Sequence, residues 1–204
     1  MSLPRRSLAL AAIGAATLPT LARAQQDPRL TPRGTGQPNA PVVVTEFFSL
    51  TCGHCAAFHR DTWPEVKRQL VDTGQVRMVW RDFPLDRTAL AAAAVARALP
   101  PERYEGFIGI LLNTQDRWAF RPDAIDELQK MAALAGLSRQ QFEVVRNDEP
   151  YLRAILAGRM EAEREFQIQA TPTFAFQSGG RTRMHGGNLP FEQFQRLVQE
   201  VRRG

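Results

Sequence analysis

The two cysteines of this chain stand together in the tetrapeptide Cys52-Gly53-His54-Cys55. An apolar run precedes them and a helical pattern follows, so both sulfurs are expected at the start of a helix that leaves a strand. At this spacing the thiols lie about one helical turn apart and can close a small disulfide that opens again. Such a pair is either a redox dithiol or half of a metal site. Because the chain has no third or fourth cysteine to complete a zinc cage, the pattern favours a redox dithiol.

The N-terminus predicts export. Residues 1–24 combine Arg5-Arg6, an apolar run over 8–18 and the small-x-small sequence Ala22-Arg23-Ala24, which is typical of a cleaved signal peptide. The apolar run is too short to span a membrane. The two arginines are also compatible with a twin-arginine signal. The mature chain is therefore expected to begin near Gln25 in the bacterial periplasm, where a disulfide can persist.

Charge and length narrow the function classes. Without its signal the chain carries 23 basic and 21 acidic residues, a net charge of +2. It has no basic block with interleaved aromatic residues, so nucleic acid is not an expected partner. About 180 residues remain, enough for one domain with a core of its own.

The pattern along the chain predicts an α/β fold with an inserted all-helical subdomain over about 87–166. Residues 25–40 are rich in Pro, Gly and Gln and are expected to form a flexible N-terminal arm, and 41–204 are expected to form the domain. The predicted strands cover 41–50, 76–83, 173–176 and 181–185, and the predicted helices cover 52 to about 70, 88–99, 103–112, 122–135, 138–146, 150–166 and 190–202.

Cys52 is the expected reactive sulfur. At the N-terminus of a helix, free backbone amides and the helix dipole favour a thiolate. Cys55 lies one turn further in and suits a resolving role, with a pKa expected well above that of Cys52. His54 lies between them, and a protonated imidazole there would favour the thiolate and make the disulfide a stronger oxidant. The alternative for His54 is an exposed turn residue.

The remaining polar candidates lie on the first strand and the first helix. Glu46 shares a strand face with Val44 and Phe48 and is expected beneath the dithiol, where it could exchange the proton of Cys55. An exposed acid at a strand edge is the alternative. His59 and His185 are interpreted as ordinary surface histidines.

Taken together, these motifs resemble the DsbA family of thioredoxin-fold thiol-disulfide oxidoreductases. The resemblance is carried by residues 36–55, by Trp80-Arg81-Asp82-Phe83-Pro84-Leu85, by the helical insertion and by Ala170-Thr171-Pro172-Thr173-Phe174. It covers essentially all of the mature chain and implies a thioredoxin-like fold with a small mixed sheet.

The resemblance also implies roles for individual residues. Cys52 matches the cysteine that attacks and donates the disulfide, and Cys55 matches the resolving cysteine. Glu46 matches an acid beneath the dithiol. Pro172 matches a cis-proline that faces the disulfide, and Thr171 before it is expected to contact the substrate backbone.

The implied function is an exported oxidase that donates the Cys52–Cys55 disulfide to unfolded or reduced exported proteins through a mixed disulfide. A membrane quinone-coupled reoxidase of the DsbB type is the implied partner, with no organic cofactor or metal and a monomeric state. The dipeptide Gly53-His54 and Thr171 resemble isomerases, which leaves open a disulfide isomerase or reductase that is kept reduced. The cysteine pair is also compatible with a zinc or copper(I) module that recruits a histidine, and with a purely structural disulfide.

Overall fold

The computed structural model describes residues 27–204, so the predicted signal peptide over 1–24 lies outside the described residues. Five strands form one mixed sheet in the order β1-β3-β2-β4-β5, in which β2 and β3 are parallel and the other pairs are antiparallel. The strands are β1 Arg33–Thr35, β2 Val42–Phe48, β3 Val76–Asp82, β4 Thr173–Ser178 and β5 Arg181–Gly186.

Helices pack against the sheet and fill the long connection between β3 and β4. They are α1 Gly53–Asp61, α2 Trp63–Val66, α3 Arg87–Ala98, α4 Pro101–Asn113, α5 Gln115–Trp118, α6 Ala124–Leu134, α7 Arg139–Arg146, α8 Glu149–Phe166 and α9 Phe191–Arg203, with a 3-10 turn at Pro28–Leu30 and a π-helical turn at Lys67–Val71. The six helices α3 to α8 are the predicted insertion, and the whole is a thioredoxin-like fold. Within residues 27–204, none of the helices has the length and apolar character that crossing a bilayer requires.

Strand β2 lies at the centre of the sheet and leads directly to the cysteines. It pairs with β3 on one side and β4 on the other, and Val42, Val44 and Phe47 are fully buried. A strand covered on both faces has a continuous apolar run rather than an alternation, which is why the sequence of 41–50 predicts a strand so clearly. The core around it includes Phe58 of α1 and Phe174 of β4, whose ring centroids lie 4.7 Å apart.

The helix that follows the cysteines breaks close to Pro64, as its sequence predicts. Helix α1 ends at Asp61, and the Thr62 N–H closes its last turn on the Phe58 carbonyl at 2.9 Å. Pro64 then falls in the first turn of α2, where the missing N–H leaves no hydrogen bond unmade.

The expectation of a flexible arm over residues 25–40 is wrong for the part that the structure describes. Residues 33–35 form the edge strand β1, in which Arg33 lies opposite Trp80 of β3. Gly34 allows the close approach, because a Cβ at this position would lie 2.5 Å from the Met78 carbonyl oxygen. The Arg33 guanidinium donates to the Arg97 carbonyl at 3.1 Å, and this bond ties the strand to α3.

A buried ion pair holds the same segment against the insertion. Arg97 of α3 pairs with Asp82 at the end of β3, and it also donates to the carbonyls of Arg29 at 3.2 Å and Thr31 at 3.1 Å. The Tyr104 hydroxyl donates to the other Asp82 oxygen at 3.3 Å. Each charge is therefore compensated, and the N-terminal segment becomes an integral part of the fold.

Candidate active site

The end of β2 and the start of α1 place Cys52 at a helix N-terminus. Cys52 is the N-cap residue of α1 with an extended backbone, and its N–H bonds the Ser49 carbonyl at 3.1 Å. The Thr51 hydroxyl donates to Asp86 at 2.6 Å, and Asp86 in turn caps α3 by accepting from the Ala89 N–H at 2.7 Å. The loop before the reactive cysteine is thus fastened to the first helix of the insertion.

Cys52 is the less buried of the two cysteines, with 9 % of the residue exposed. When Cys52 is protonated, its thiol donates to the Thr171 carbonyl oxygen, which lies 3.2 Å from the sulfur. The pKa of Cys52 is lowered to about 5, chiefly by a hydrogen bond from the Cys55 thiol. The Thr171 hydroxyl and the backbone N–H groups of Cys55 and His54 lower this pKa further, against the opposing effect of burial. Cys52 is therefore a thiolate at neutral pH.

Cys55 differs from Cys52 in each of these respects. It is fully buried, and burial raises its pKa well above the usual value for a thiol. The hydrogen bond that it makes to Cys52 and the negative charge of Glu46 raise this pKa further. The order of the two pKa values is the one expected from the sequence, and it separates an attacking sulfur from a buried one.

Glu46 lies in the interior of the protein, in the central strand, and not at an exposed strand edge. It is fully buried in the central strand, opposite Trp80 of β3 and Phe174 of β4. Its Oε2 lies 3.0 Å from Nε2 of His59, and its charge acts on Cys55.

His59 is the site residue that the sequence interpretation misses. Interpreted from its sequence as a surface histidine, it is instead 2 % exposed and faces the core from α1. The signal that could have found it is its spacing, because His59 follows Cys52 by seven residues, which is two helical turns, and so shares the face of α1 that carries Cys55 and Phe58. His185 is half-buried on β5, opposite Phe174 in the strand register.

His54 contributes its backbone to the site rather than its ring. Its side chain is exposed, whereas its N–H acts on the Cys52 sulfur. Among residues 27–204 there is no hydrogen bond from the His54 ring to either sulfur, so the geometry matches the alternative of an exposed residue.

The loop before β4 forms the second wall of the site. Thr171-Pro172 is a cis peptide, in agreement with what the resemblance implied. The Gly187 N–H donates to the Pro172 carbonyl at 2.7 Å and fixes the loop to the end of β5. Thr171 lies against Cys52. Its buried hydroxyl makes no well-aligned hydrogen bond in the described part of the chain, so it lowers the pKa of Cys52 through a longer or less well aligned contact.

The metal alternative lacks a set of ligands in this part of the chain. Across the described residues 27–204, no three side chains of the His, Cys, Asp or Glu type come close enough together to hold a metal ion. His59, the nearest buried imidazole on α1, uses Nε2 for Glu46.

Comparison with known proteins identifies the family. The thioredoxin family model matches residues 29–200. A cysteine-to-alanine variant of alpha-DsbA1 from Wolbachia pipientis is 30 % identical, with a TM-score of 0.78 over 85 % of this chain and 91 % of that one. The chain belongs to the DsbA family of thioredoxin-fold thiol-disulfide oxidoreductases. BdbD from Bacillus subtilis, at 18 % identity and a TM-score of 0.68 over 85 % of this chain and 94 % of that one, shows the same fold.

Curated relatives of this DsbA-family chain are longer than it is. A Rickettsia conorii protein, provisionally named a protein-disulfide oxidoreductase, is 30 % identical over 167 residues, which are 81 % of this chain. The chain spans 58 % of the length of that relative. A second relative, from Rickettsia bellii, is 26 % identical over 81 % of this chain and 64 % of its own length.

Proposed function

We propose that this DsbA-family chain is an exported disulfide oxidase that donates the Cys52–Cys55 disulfide to reduced exported proteins. The observation that carries the proposal is the contrast between the two sulfurs. Cys52 retains 9 % of its surface exposed and has a pKa of about 5, whereas Cys55 is fully buried with a raised pKa. A stabilised Cys52 thiolate favours the reduced form and makes the disulfide a strong oxidant.

The reaction proceeds in two exchanges. A substrate thiolate attacks the Cys52 sulfur of the oxidised protein, the bond between Cys52 and Cys55 breaks, and its electron pair leaves on Cys55, which then takes up a proton. A second substrate thiolate attacks the substrate sulfur of this mixed disulfide, and Cys52 leaves as the thiolate. The substrate loses two electrons as its disulfide forms, and the protein keeps them as two reduced cysteines.

Each site residue has a part in this cycle. Glu46 gives the buried Cys55 its proton when that sulfur leaves and takes the proton back on reoxidation, since Cys55 has no exposed surface. Thr171 and Pro172 form the surface that meets the substrate backbone beside Cys52. The His54 N–H helps to hold the thiolate. No organic cofactor or metal enters the cycle, because the electrons stay on sulfur.

The partners and the compartment belong to the same proposal. The substrates are unfolded or reduced exported proteins, and a membrane quinone-coupled reoxidase of the DsbB type restores the disulfide. The protein acts as a monomer in the periplasm, which suits a disulfide that must persist between substrates.

The deciding experiment is the redox equilibrium of the dithiol with glutathione, combined with oxidation of a reduced, unfolded client protein. An oxidase should hold a potential nearer that of DsbA, about −120 mV, than that of thioredoxin, about −270 mV, and should oxidise the client faster than it reduces insulin. Cys52→Ser should abolish both activities. A dithiol that is found reduced in periplasmic extracts, and that rearranges scrambled disulfides better than it forms new ones, would instead assign the isomerase function suggested by the Gly53-His54 dipeptide.

A further inference from the structure

His59 is an ionisable residue sealed beneath the dithiol, with no role in the cycle described above. It is 2 % exposed, and aromatic rings enclose it. Its ring centroid lies 5.6 Å from that of Phe58, 6.2 Å from that of Trp63 and 6.3 Å from that of Phe48. Burying a histidine in such apolar surroundings costs free energy unless its ring nitrogens are hydrogen-bonded.

His59 and Glu46 each have one side-chain polar atom in a hydrogen bond and one without a partner. His59 Nε2 and Glu46 Oε2 lie 3.0 Å apart, whereas His59 Nδ1 and Glu46 Oε1 have no hydrogen-bond partner anywhere in 27–204. Both free atoms are inaccessible to solvent. A carboxylate held at one oxygen and free at the other is arranged to accept a proton at the free oxygen.

We propose that His59 is a positioning residue for proton exchange at Cys55: by donating Nε2–H to Oε2 it holds the Glu46 carboxyl group in place and leaves Oε1 free to exchange the Cys55 proton. The inference rests on the proposed function and extends it to a residue outside the Cys-x-x-Cys motif. In the transfer the Cys55 S–H bond breaks, an O–H bond forms on Glu46, and the electron pair stays on sulfur. The reverse transfer follows when Cys55 leaves from the disulfide, so no oxidant or reductant is needed.

The charged surroundings leave this task to His59. Within 27–204 the other buried charged side chains are Asp82, Arg97 and Arg33, and the buried Tyr104 hydroxyl contacts Asp82. Arg97 and Tyr104 bond to Asp82, and Arg33 bonds to the Arg97 carbonyl, so these groups pair with one another and not with Glu46. In the part of the chain described by the structure, His59 is the one side-chain hydrogen-bond partner of the Glu46 carboxyl group. The remaining ionisable neighbours are Cys55 itself and Cys52, and Cys55 senses the charge of Glu46.

The test follows the step in which Cys55 acts. A mixed disulfide of glutathione with Cys52 is prepared, and the release of glutathione by Cys55 is timed across a range of pH. His59→Leu removes the donor that holds Glu46, so release should depend more on direct ionisation of the buried Cys55 thiol, whose pKa is raised by burial. Release should slow by about tenfold or more at neutral pH, and its midpoint should move to higher pH.

Two amide variants distinguish loss of the hydrogen-bond donor at Nε2 from loss of side-chain packing. The amide nitrogen of His59→Gln lies near the position of Nε2 and should restore release, whereas that of His59→Asn lies near Nδ1 and should not. Glu46→Gln should slow release by itself, and adding His59→Leu to it should cause no further loss. His185→Leu, on β5, is the matched control and should keep the rate and the pH profile of the unaltered protein. Thermal unfolding monitored by circular dichroism establishes which variants fold.

Three outcomes would overturn the role of His59. Folded His59→Asn or His59→Leu could release glutathione with the unaltered rate and pH profile, folded His59→Gln could be as slow as His59→Asn, or His59→Leu could slow Glu46→Gln further. In each case the unaltered protein still resolves the mixed disulfide, so the proposed function stands. If the unaltered protein itself fails to release glutathione, the proposed function fails and the role of His59 falls with it.

Discussion

The side-chain amide of Gln115 donates to the carbonyl oxygen of Cys52 at 3.1 Å and connects the inserted helices to the N-terminus of α1. The same nitrogen donates to the Leu50 carbonyl at 2.8 Å. Gln115 begins α5 and is buried. One side chain therefore fixes two backbone positions of the loop that presents the reactive sulfur.

Replacement of Gln115 by Ala should lower the free energy of unfolding by about 1–3 kcal/mol, because it leaves the buried Leu50 carbonyl without its donor and removes one of the two donors to the Cys52 carbonyl. Urea unfolding of the reduced protein measures this loss. Gln199→Ala, at an exposed position of α9, is the control and should change stability by less than about 0.5 kcal/mol. Equal stabilities of the two variants would contradict a structural role for Gln115.

Alkylation of Cys52 in the reduced protein should have its midpoint near pH 5, because the thiolate is the reactive form. Since the Cys55 thiol is the largest contributor to the lowered pKa, Cys55→Ala should move the midpoint to higher pH. Cys55→Ser keeps a donor and should move it less. Mass spectrometry of the alkylated peptide gives the titration, and an unchanged midpoint in Cys55→Ala would argue that the backbone amides alone hold the thiolate.

Thr171→Val should also raise the alkylation midpoint of Cys52, by less than Cys55→Ala does. The Thr171 hydroxyl lowers the pKa of Cys52, and valine removes the hydroxyl while keeping the branched shape. Thr182→Val, at an exposed position of β5, is the matched control. A shift of the same size in both variants would show that the effect does not come from the hydroxyl.

The stability of the reduced protein should rise with pH between about 5 and 9. The folded-state pKa of Cys52 is lowered from its ordinary value of 9.0 to about 5, so its contribution is fully present above the ordinary value and is lost as pH falls through the lowered one. The raised pKa of Cys55 has the opposite effect on stability above pH 9, because the Cys55 thiol then ionises in the unfolded chain but not in the folded protein. The rise in stability therefore ends near pH 9. Unfolding measured against pH, relative to Cys52→Ser, isolates the slope. If the unfolding free energies of the two proteins changed with pH in parallel, Cys52 would not be the source of the rise.

Arg97→Leu should lower the free energy of unfolding by about 3–5 kcal/mol, because it leaves Asp82 buried without a countercharge. The carbonyls of Arg29 and Thr31 lose their donor as well. Arg60→Leu removes an exposed ion pair with Asp61 and should cost less than about 1 kcal/mol. Chemical denaturation of both variants at neutral pH makes the comparison, and similar losses would mean that the buried pair adds nothing beyond a surface pair.

Local signals in the sequence are enough for much of the fold. The apolar run of β2 and the capping box at Ser138, which the structure shows in both of its hydrogen bonds, depend on residues close together in the chain. Helix α5 escapes prediction because its four residues are too few to show a helical period. Strand β1 escapes it because Arg33-Gly34-Thr35 carries no apolar alternation and depends on pairing with a strand more than 40 residues later.

The residues of the site likewise divide into those that local sequence predicts and those that depend on distant parts of the chain. The spacing of the two cysteines predicts Cys52 and Cys55, and the alternation of side-chain faces along β2 predicts Glu46, so three site residues follow from neighbouring residues. His59 can be recognised as a site residue only through its contact with Glu46, which lies 13 residues earlier in the chain. The two side chains meet only once α1 packs against the sheet. Gln115 is 63 residues from Cys52, and its partners are backbone carbonyls, which have no signature in the side-chain sequence.

The pairing of β1 with β3 sets a practical boundary for engineering this protein. Trimming into Arg33–Thr35 would strip the outermost strand and leave the N–H and C=O groups of β3 open to a second molecule, a recognised route to aggregation. A shortened variant that retains Asp27 preserves both the strand and the Arg29–Asp27 bridge, so affinity tags and fusion partners belong ahead of that residue.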